Sequence, residues 1–132
     1  PVHFGQGLII LGLAYAGQGL ANQALPYFIE GIEVLAQTDN QHDWANGIFW
    51  NLGQNIFTGS VTDEILEQCE EAVKICKKNG YDYILATGLS ILGFYKFNEK
   101  GKLDEGMAQI QEGFKIMNEI QHPRQIGEKY HG

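Results

Sequence analysis

Basic residues are absent from the first half of the chain. The first lysine or arginine is Lys74, so residues 1–73 carry nine acidic side chains and no base, whereas residues 74–132 carry nine bases and seven acids. Phosphate binding needs clustered lysine and arginine, and the net charge of −7 is spread without such a cluster. The charge pattern therefore disfavours nucleic acid as a direct partner.

Long hydrophobic runs are also missing. The most apolar stretch, Leu8 to Ala16, is interrupted by Gly12 and is too short to cross a bilayer. No targeting segment is visible. We therefore predict a cytoplasmic protein with no membrane partner. The chain begins at Pro1 without methionine, which leads us to expect a fragment of a longer protein.

Cysteine is scarce, and its spacing argues against a disulfide or a metal site. Cys69 and Cys76 lie seven residues apart, which places them two helical turns apart on one face, too distant to bond to each other. No histidine accompanies them in a zinc pattern. We predict that both are small buried hydrophobes and that the protein holds no metal and no cofactor.

Serine, histidine and aspartate, the residues of hydrolase triads, are present but do not form a catalytic sequence pattern. Nothing around Ser60 resembles a nucleophile elbow, and this serine falls where a helix cap is needed. The glycine-rich run at 17–19 has neither a Walker lysine nor a preceding strand. Since no convergent titratable groups are evident, we predict that the protein is not an enzyme.

Glycine, in contrast, is abundant and periodic. The chain has 17 glycines, and Leu-Gly pairs end at Gly12, Gly53 and Gly93. These pairs lie 41 and then 40 residues apart, a self-similarity that indicates a repeat array. We expect these three glycines to let the first helix of each repeat approach the second closely. Gly53→Leu should then be destabilising and Gln54→Leu should not.

Apolar periodicity and capping signals predict six helices in pairs. The first is apolar on every face, which predicts burial all round, and the sixth has an apolar stripe. The predicted helices are Phe4 to Tyr15, Asn22 to Gln37, Asp43 to Phe57, a fourth that ends at Asn79, Asp82 to Asn98 and Leu103 to Gln121, with Pro123 opening a seventh. Asp43 is the predicted cap of the third helix, and either Ser60 or Thr62 that of the fourth. The stripe of the sixth comprises Met107, Ile110, Phe114, Met117 and Ile120.

The repeated unit resembles the tetratricopeptide repeat (TPR) family. The first unit carries every signature residue, namely Leu11, Gly12, Tyr15, Ala24, Phe28 and Gly31. The second unit departs from the pattern with Ile56, Ile65 and Cys69, and the third has Lys96 where the family has an aromatic residue. The period exceeds the family's usual 34 residues, which one extra turn on each of two helices would explain. Units of this length resemble the helical regions of large multidomain signalling proteins.

The resemblance implies an all-α fold, a right-handed solenoid of three TPR-like hairpins. They form one domain over 1–132, with repeats at about 3–38, 42–79 and 82–121. In the family, the first helices of the hairpins line a concave groove that binds a peptide or protein segment. The groove positions carried over to this chain are Gln6, Ile9, Leu13, Trp50, Asn51, Gln54, Phe57, Thr87, Ser90, Phe94, Phe97 and Asn98.

The resemblance leaves two functions open. The first is a scaffold within a larger regulatory protein, whose groove aromatics and amides bind a peptide or protein segment. Packing of Trp50, Phe57 and Phe94 between repeats is an equally good interpretation of those aromatics. The basic groove residues with which some family members clamp a terminal carboxylate are absent. The second function is an assembly element whose apolar ends stack on neighbouring repeats or on another copy.

Overall fold

The computed structural model describes residues 1–99 and 101–122, and within these ranges the chain is helical and contains no strand. Its six helices are α1 (Val2–Gly17), α2 (Ala21–Leu35), α3 (Gln41–Thr58), α4 (Asp63–Asn79), α5 (Asp82–Phe97) and α6 (Leu103–Gln121). The predicted helix at Pro123 lies outside the described residues. None of the described helices combines the length and the apolar character needed to cross a membrane.

Capping residues set several of the helix ends. The Thr62 hydroxyl accepts a hydrogen bond from the Ile65 amide and starts α4, while Gly80, with φ of 71°, ends that helix. Such a left-handed conformation favours glycine. The prediction that Asp43 caps α3 is wrong: the Asn40 side chain accepts from the Asp43 amide at 3.1 Å. The helix begins earlier because asparagine is the better placed capping side chain.

Each helix packs against the next one along the chain, from α1 through to α6. In addition, α1 contacts α3, and α3 contacts α5. Among the described residues, helices further apart than this make no extensive contact. One apolar core runs through the five helices α1 to α5, and its largest fully buried side chains are Phe28, Phe49, Leu35, Ile48, Leu52, Leu89 and Leu92.

Two of the three repeated glycines lie at close helix contacts, as predicted. A Cβ on Gly12 would be 2.8 Å from the Phe28 ring on α2. One on Gly93 would be 2.8 Å from the Gly106 carbonyl oxygen and 2.9 Å from the Ile110 amide nitrogen on α6. Real Cβ atoms do not approach other atoms so closely, so glycine is required for α1–α2 and α5–α6 to pack at this distance.

The prediction for Gly53 is wrong. The nearest atoms to a Cβ at this position belong to Ile91 of α5, at 3.9 Å, so Gly53 is not in the α3–α4 contact. Asn51 and Asn55 are buried instead, and both line the space between α3 and α4. Gln54 is itself only 5% exposed, so Gln54→Leu is not a neutral control for Gly53→Leu.

The two terminal helices expose apolar surface that the sequence predicted to be buried. On α1, Phe4 is 57% exposed and Leu11 is 45% exposed, because no described helix precedes this one. On α6, Met107 is 40% and Phe114 is 66% exposed. The helix turns Gly106 and Gly113 toward α5, so Met107 and Phe114 of the predicted stripe face outward. Ile110 of the same stripe packs against Gly93 of α5 as expected.

The glycine contacts can be tested with Gly106→Ala and a matched control, Gly53→Ala. A Cβ on Gly106 would be 2.7 Å from the Gly93 carbonyl oxygen and close to the Phe97 amide nitrogen. Since backbone atoms cannot rotate away, we expect Gly106→Ala to lower the free energy of unfolding by about 1–3 kcal/mol. Gly53→Ala has room and should be neutral or stabilising by up to about 1 kcal/mol. Denaturant titration measures both; equal losses would contradict the assigned role of Gly106 in the α5–α6 contact.

Candidate functional site

The twelve groove positions divide into three groups by exposure. Phe57 is 82%, Phe94 54% and Phe97 39% exposed, and Asn98 is also exposed. Five positions are half-buried: Gln6, Leu13, Trp50, Thr87 and Ser90. The other three are buried: Ile9, Asn51 and Gln54. A surface available to a ligand therefore involves the C-terminal halves of α3 and α5 more than α1.

Ile9 and Asn51 occupy packing positions. The Ile9 Cδ1 atom lies 2.8 Å and 2.7 Å from where Cβ atoms on Gly31 and Gly47 would be, so its side chain fills the junction of α1, α2 and α3. Asn51 lines a cavity of about 290 Å³ together with residues of α2 and α4, such as Ile29 and Gln68. Its side chain is thus on the side of the second helices and not on that of the first helices.

A cavity of about 570 Å³ opens at the C-terminal end of α3. Gln54, Phe57 and Thr58 line one wall, and Ala16 of α1 lies opposite. The rest of the lining comes from the α1–α2 connection and the first residues of α2, namely Gly19, Leu20, Ala21, Asn22 and Gln23. An exposed aromatic ring and three amide side chains therefore share this cavity.

A second cavity, of about 350 Å³, lies on the other side of the same end of α3. It is lined by Ile56 of α3 and by residues at the end of α5, namely Phe94, Tyr95, Asn98 and Glu99. The Asn98 Nδ2 atom donates to the Phe94 carbonyl oxygen at 2.8 Å, which fixes this amide beside the ring. Phe57 and Phe94 thus face neighbouring cavities separated by the last turn of α3.

Gly59 positions this last turn. It has φ of 68° and follows Thr58, the final residue of α3. A residue with a side chain rarely adopts this conformation, so glycine ends the helix immediately after the exposed Phe57. The Ser60 amide then donates to the Asn55 carbonyl oxygen at 2.9 Å, and the Ser60 hydroxyl donates to the Asn55 Oδ1 atom at 2.7 Å.

A polar cluster around Asp43 links α1 to α3. Its carboxylate accepts from Gln6 Nε2 at 2.8 Å and Asn40 Nδ2 at 2.8 Å, and pairs with His42 Nδ1 at 2.9 Å. Burial by itself would raise the pKa of Asp43, but the hydrogen bonds to His42, Gln6 and Asn40 outweigh burial and lower that pKa. Gln6, predicted as a groove residue, therefore has a structural partner.

Lys96 forms a second cluster, which the sequence did not predict. Its side chain is 9% exposed, and Nζ donates to Glu70 of α4 at 2.9 Å and to Glu105 of α6 at 2.7 Å. Burial would lower the pKa of Lys96, but the bonds to Glu105 and Glu70 raise it. The same bond lowers the pKa of Glu105. A lysine at a position where the resembled tetratricopeptide repeat has an aromatic residue was the available signal.

The described residues show no assembled reactive group. Cys69 and Cys76 are free and fully buried, and burial raises the pKa of their thiols to about 12 and about 11, which suppresses the nucleophilic thiolate. His42 and Asp43 are at the start of α3 and Ser60 just beyond its end, about 25 Å away at 1.5 Å per residue. No three histidine, cysteine or acidic side chains of the described residues are grouped to hold a metal.

Comparisons of this chain with protein-family models, with curated proteins and with solved structures give no match. Any assignment of function therefore depends on the residues and the geometry described above.

The Lys96 cluster predicts an asymmetric response to mutation. In a Glu70→Ala/Glu105→Ala variant the ammonium loses both acceptors. Because those carboxylates are about half exposed, their removal also lets water reach it, and we expect a loss of about 1–2 kcal/mol. Lys96→Met leaves two carboxylates that are about half exposed to water, and the expected loss is below about 1 kcal/mol. Denaturant titration measures both losses, and a larger loss for Lys96→Met would contradict the prediction.

The same pair predicts part of the acid sensitivity. Because the folded-state pKa of Glu105 is lowered, its contribution to stability is present above the pKa of an unfolded glutamate, about 4.3. That contribution is lost as the pH falls through the folded-state pKa. The free energy of unfolding should thus decline less below about pH 4.3 in Lys96→Met than in the wild type. Parallel curves for the two proteins would refute this assignment.

Proposed function

We propose that the chain is a right-handed solenoid of three TPR-like hairpins that binds a peptide or protein segment across the end of α3. Packing of each helix on its neighbours supports the repeat arrangement, as do the glycine contacts at Gly12 and Gly93. In such arrays each unit contacts only its neighbours. The protein acts as a non-enzymatic scaffold in this proposal, as one part of a larger cytoplasmic regulator.

One observation carries the binding proposal: Phe57 and Phe94 are largely exposed, at 82% and 54%, and each lines one of two neighbouring cavities. Exposed aromatic rings beside concave surface are typical of binding sites. Two anchor side chains of a ligand can enter the two cavities, with the last turn of α3 between them. The exposed amides of Asn22 and Gln23 in the first cavity and of Asn98 in the second then supply hydrogen bonds to the ligand backbone.

Charge limits the class of ligand. Glu99 lines the second cavity. No lysine or arginine occurs before Lys74, so α1, α2 and α3 contribute no basic side chain to the first cavity. An acidic segment or a terminal carboxylate would meet no complementary charge there. The proposed ligand is therefore an internal segment with two apolar anchors and a neutral or basic character.

The proposal is tested by selecting ligands from a library of short random peptides displayed on phage. Selected peptides should carry paired apolar anchors, and their binding should weaken at least tenfold in Phe57→Ala and in Phe94→Ala, since each variant removes one aromatic contact. Phe114→Ala is the matched control, because this ring is also exposed, at 66%, but lies on α6. Isothermal titration calorimetry measures the affinities.

Amide shifts on titration with a selected peptide locate the binding surface independently. They should be largest at the ends of α3 and α5. A library that gives no specific peptide, or peptides whose affinity depends on Phe114 and not on Phe57 or Phe94, would refute the proposed site.

A second candidate function, assembly through the ends of the array, is favoured by the exposed apolar residues of α1 and α6. It uses a different surface from the α3 site, and the two functions are compatible.

A further inference from the structure

The exposed side of α6 matches a side of α2 that is covered in this chain. Gly31 on α2 and Gly113 on α6 are equivalent, because each faces the helix that precedes it. The residue that follows is Ile32 in one case and Phe114 in the other. Ile32 is 6% exposed, since its Cγ1 atom lies 3.3 Å from where a Cβ on Gly47 of α3 would be. Phe114 has no such cover among the described residues and is 66% exposed.

The exposed side of α1 matches, in the same way, a covered side of α5. Gly12 and Gly93 are equivalent, because each lies against the helix that follows it. Counting back from each glycine by one and by eight residues pairs Leu11 with Leu92 and Phe4 with Leu85. The two residues of α5 are 0% and 4% exposed, with α3 and α4 packed against that helix. Leu11 and Phe4 are 45% and 57% exposed.

These comparisons define two end faces, the α6 end face (Leu103, Met107 and Phe114) and the α1 end face (Phe4 and Leu11). The α6 end face corresponds to the side of α2 that packs on α3. The α1 end face corresponds to the side of α5 that packs on α4. Within the chain, the second helix of one hairpin is covered by the first helix of the next, as in the contacts α2–α3 and α4–α5. The helix expected to cover the α6 end face is therefore the first helix of a hairpin, as α1 is. Among the described residues, α1 is such a helix, and its matching face is exposed.

Charge favours α1 of another copy over a second α6. Helix α6 carries four acidic residues and one lysine, so two α6 helices packed together would bring like charges close to each other, which is destabilising. Helix α1 carries no aspartate, glutamate, lysine or arginine. It can cover the α6 end face without introducing a like charge.

We propose that copies of this chain associate head to tail, with the α6 end face of one copy packed on the α1 end face of the next. The interface is heterologous, so each copy retains one free end face, and association continues into chains or a ring. This inference rests on the repeat arrangement proposed above and does not involve the α3 site.

Sedimentation velocity of the intact chain over a range of concentrations tests the inference. The wild type should form species larger than a dimer as its concentration rises. Phe114→Glu and Leu11→Glu should each be monomeric, because a charge is then buried in the interface. Phe4→Glu replaces Leu11→Glu if circular dichroism shows that the latter does not fold. Phe57→Glu is the control: it changes an exposed aromatic at the α3 site and should associate like the wild type.

Mixing the two monomeric variants distinguishes the head-to-tail interface from a symmetric one. The Leu11→Glu copy keeps an intact α6 end face, and the Phe114→Glu copy keeps an intact α1 end face. Equal amounts should therefore form a heterodimer and nothing larger. A two-fold α6–α6 contact predicts instead that Leu11→Glu dimerises alone and that mixing adds no species.

Three results would overturn the proposal: a wild type that is monomeric at every concentration, a mixture that stays monomeric, or association that persists in both variants. A wild type that associates only after removal of residues 123–132 would show that this chain's own C-terminal segment covers the α6 end face, and would also overturn it. Failure of the α3 site is separate, since Phe57→Glu would then affect neither association nor peptide binding.

Discussion

The packing of each helix against the next one along the chain is the contact on which the rest of this structure depends. The helices are amphipathic or apolar, and an isolated helix of this length is marginal in water, so each is stabilised by the face of its neighbour. At α1–α2 and α5–α6 the contact is close because Gly12, Gly93 and Gly106 carry no side chain. At α3–α4 the buried Asn51 and Asn55 instead line a cavity between α2, α3 and α4.

This contact also accounts for the surfaces to which function is assigned. Neighbour-to-neighbour packing leaves the helix ends free, so the last turn of α3 can separate two cavities, with Phe57 and Phe94 exposed beside it. Among the described residues it leaves the outer sides of α1 and α6 without a neighbour, so Leu11 and Phe114 are exposed although equivalent residues elsewhere are buried. The proposed ligand site and the proposed end-to-end interface thus both follow from the packing of each helix on its neighbours.

Polar residues between the helices form bonds that join the same neighbouring helices. Asp43 joins α3 to Gln6 of α1, and Lys96 joins α5 to α4 and α6. Buried charges are tolerated where they are paired and hydrogen-bonded. These bonds add to the apolar contacts between the helices that they join. The attachment of α5 to α4 and α6 thus depends in part on a lysine that no apolar pattern could predict.

The sequence by itself determined the local features: six helices, the buried face of α2 with Ala24 and Phe28, and the left-handed stop at Gly80. Periodicity and capping are encoded by residues close together in the chain, so they can be read from it. Only the tertiary structure decided which face of a helix is covered. The rotation that places Gly53 toward α5 depends on what packs alongside, and so does the exposure of Phe114, which no described helix covers. Helical spacing contains no information about such neighbours.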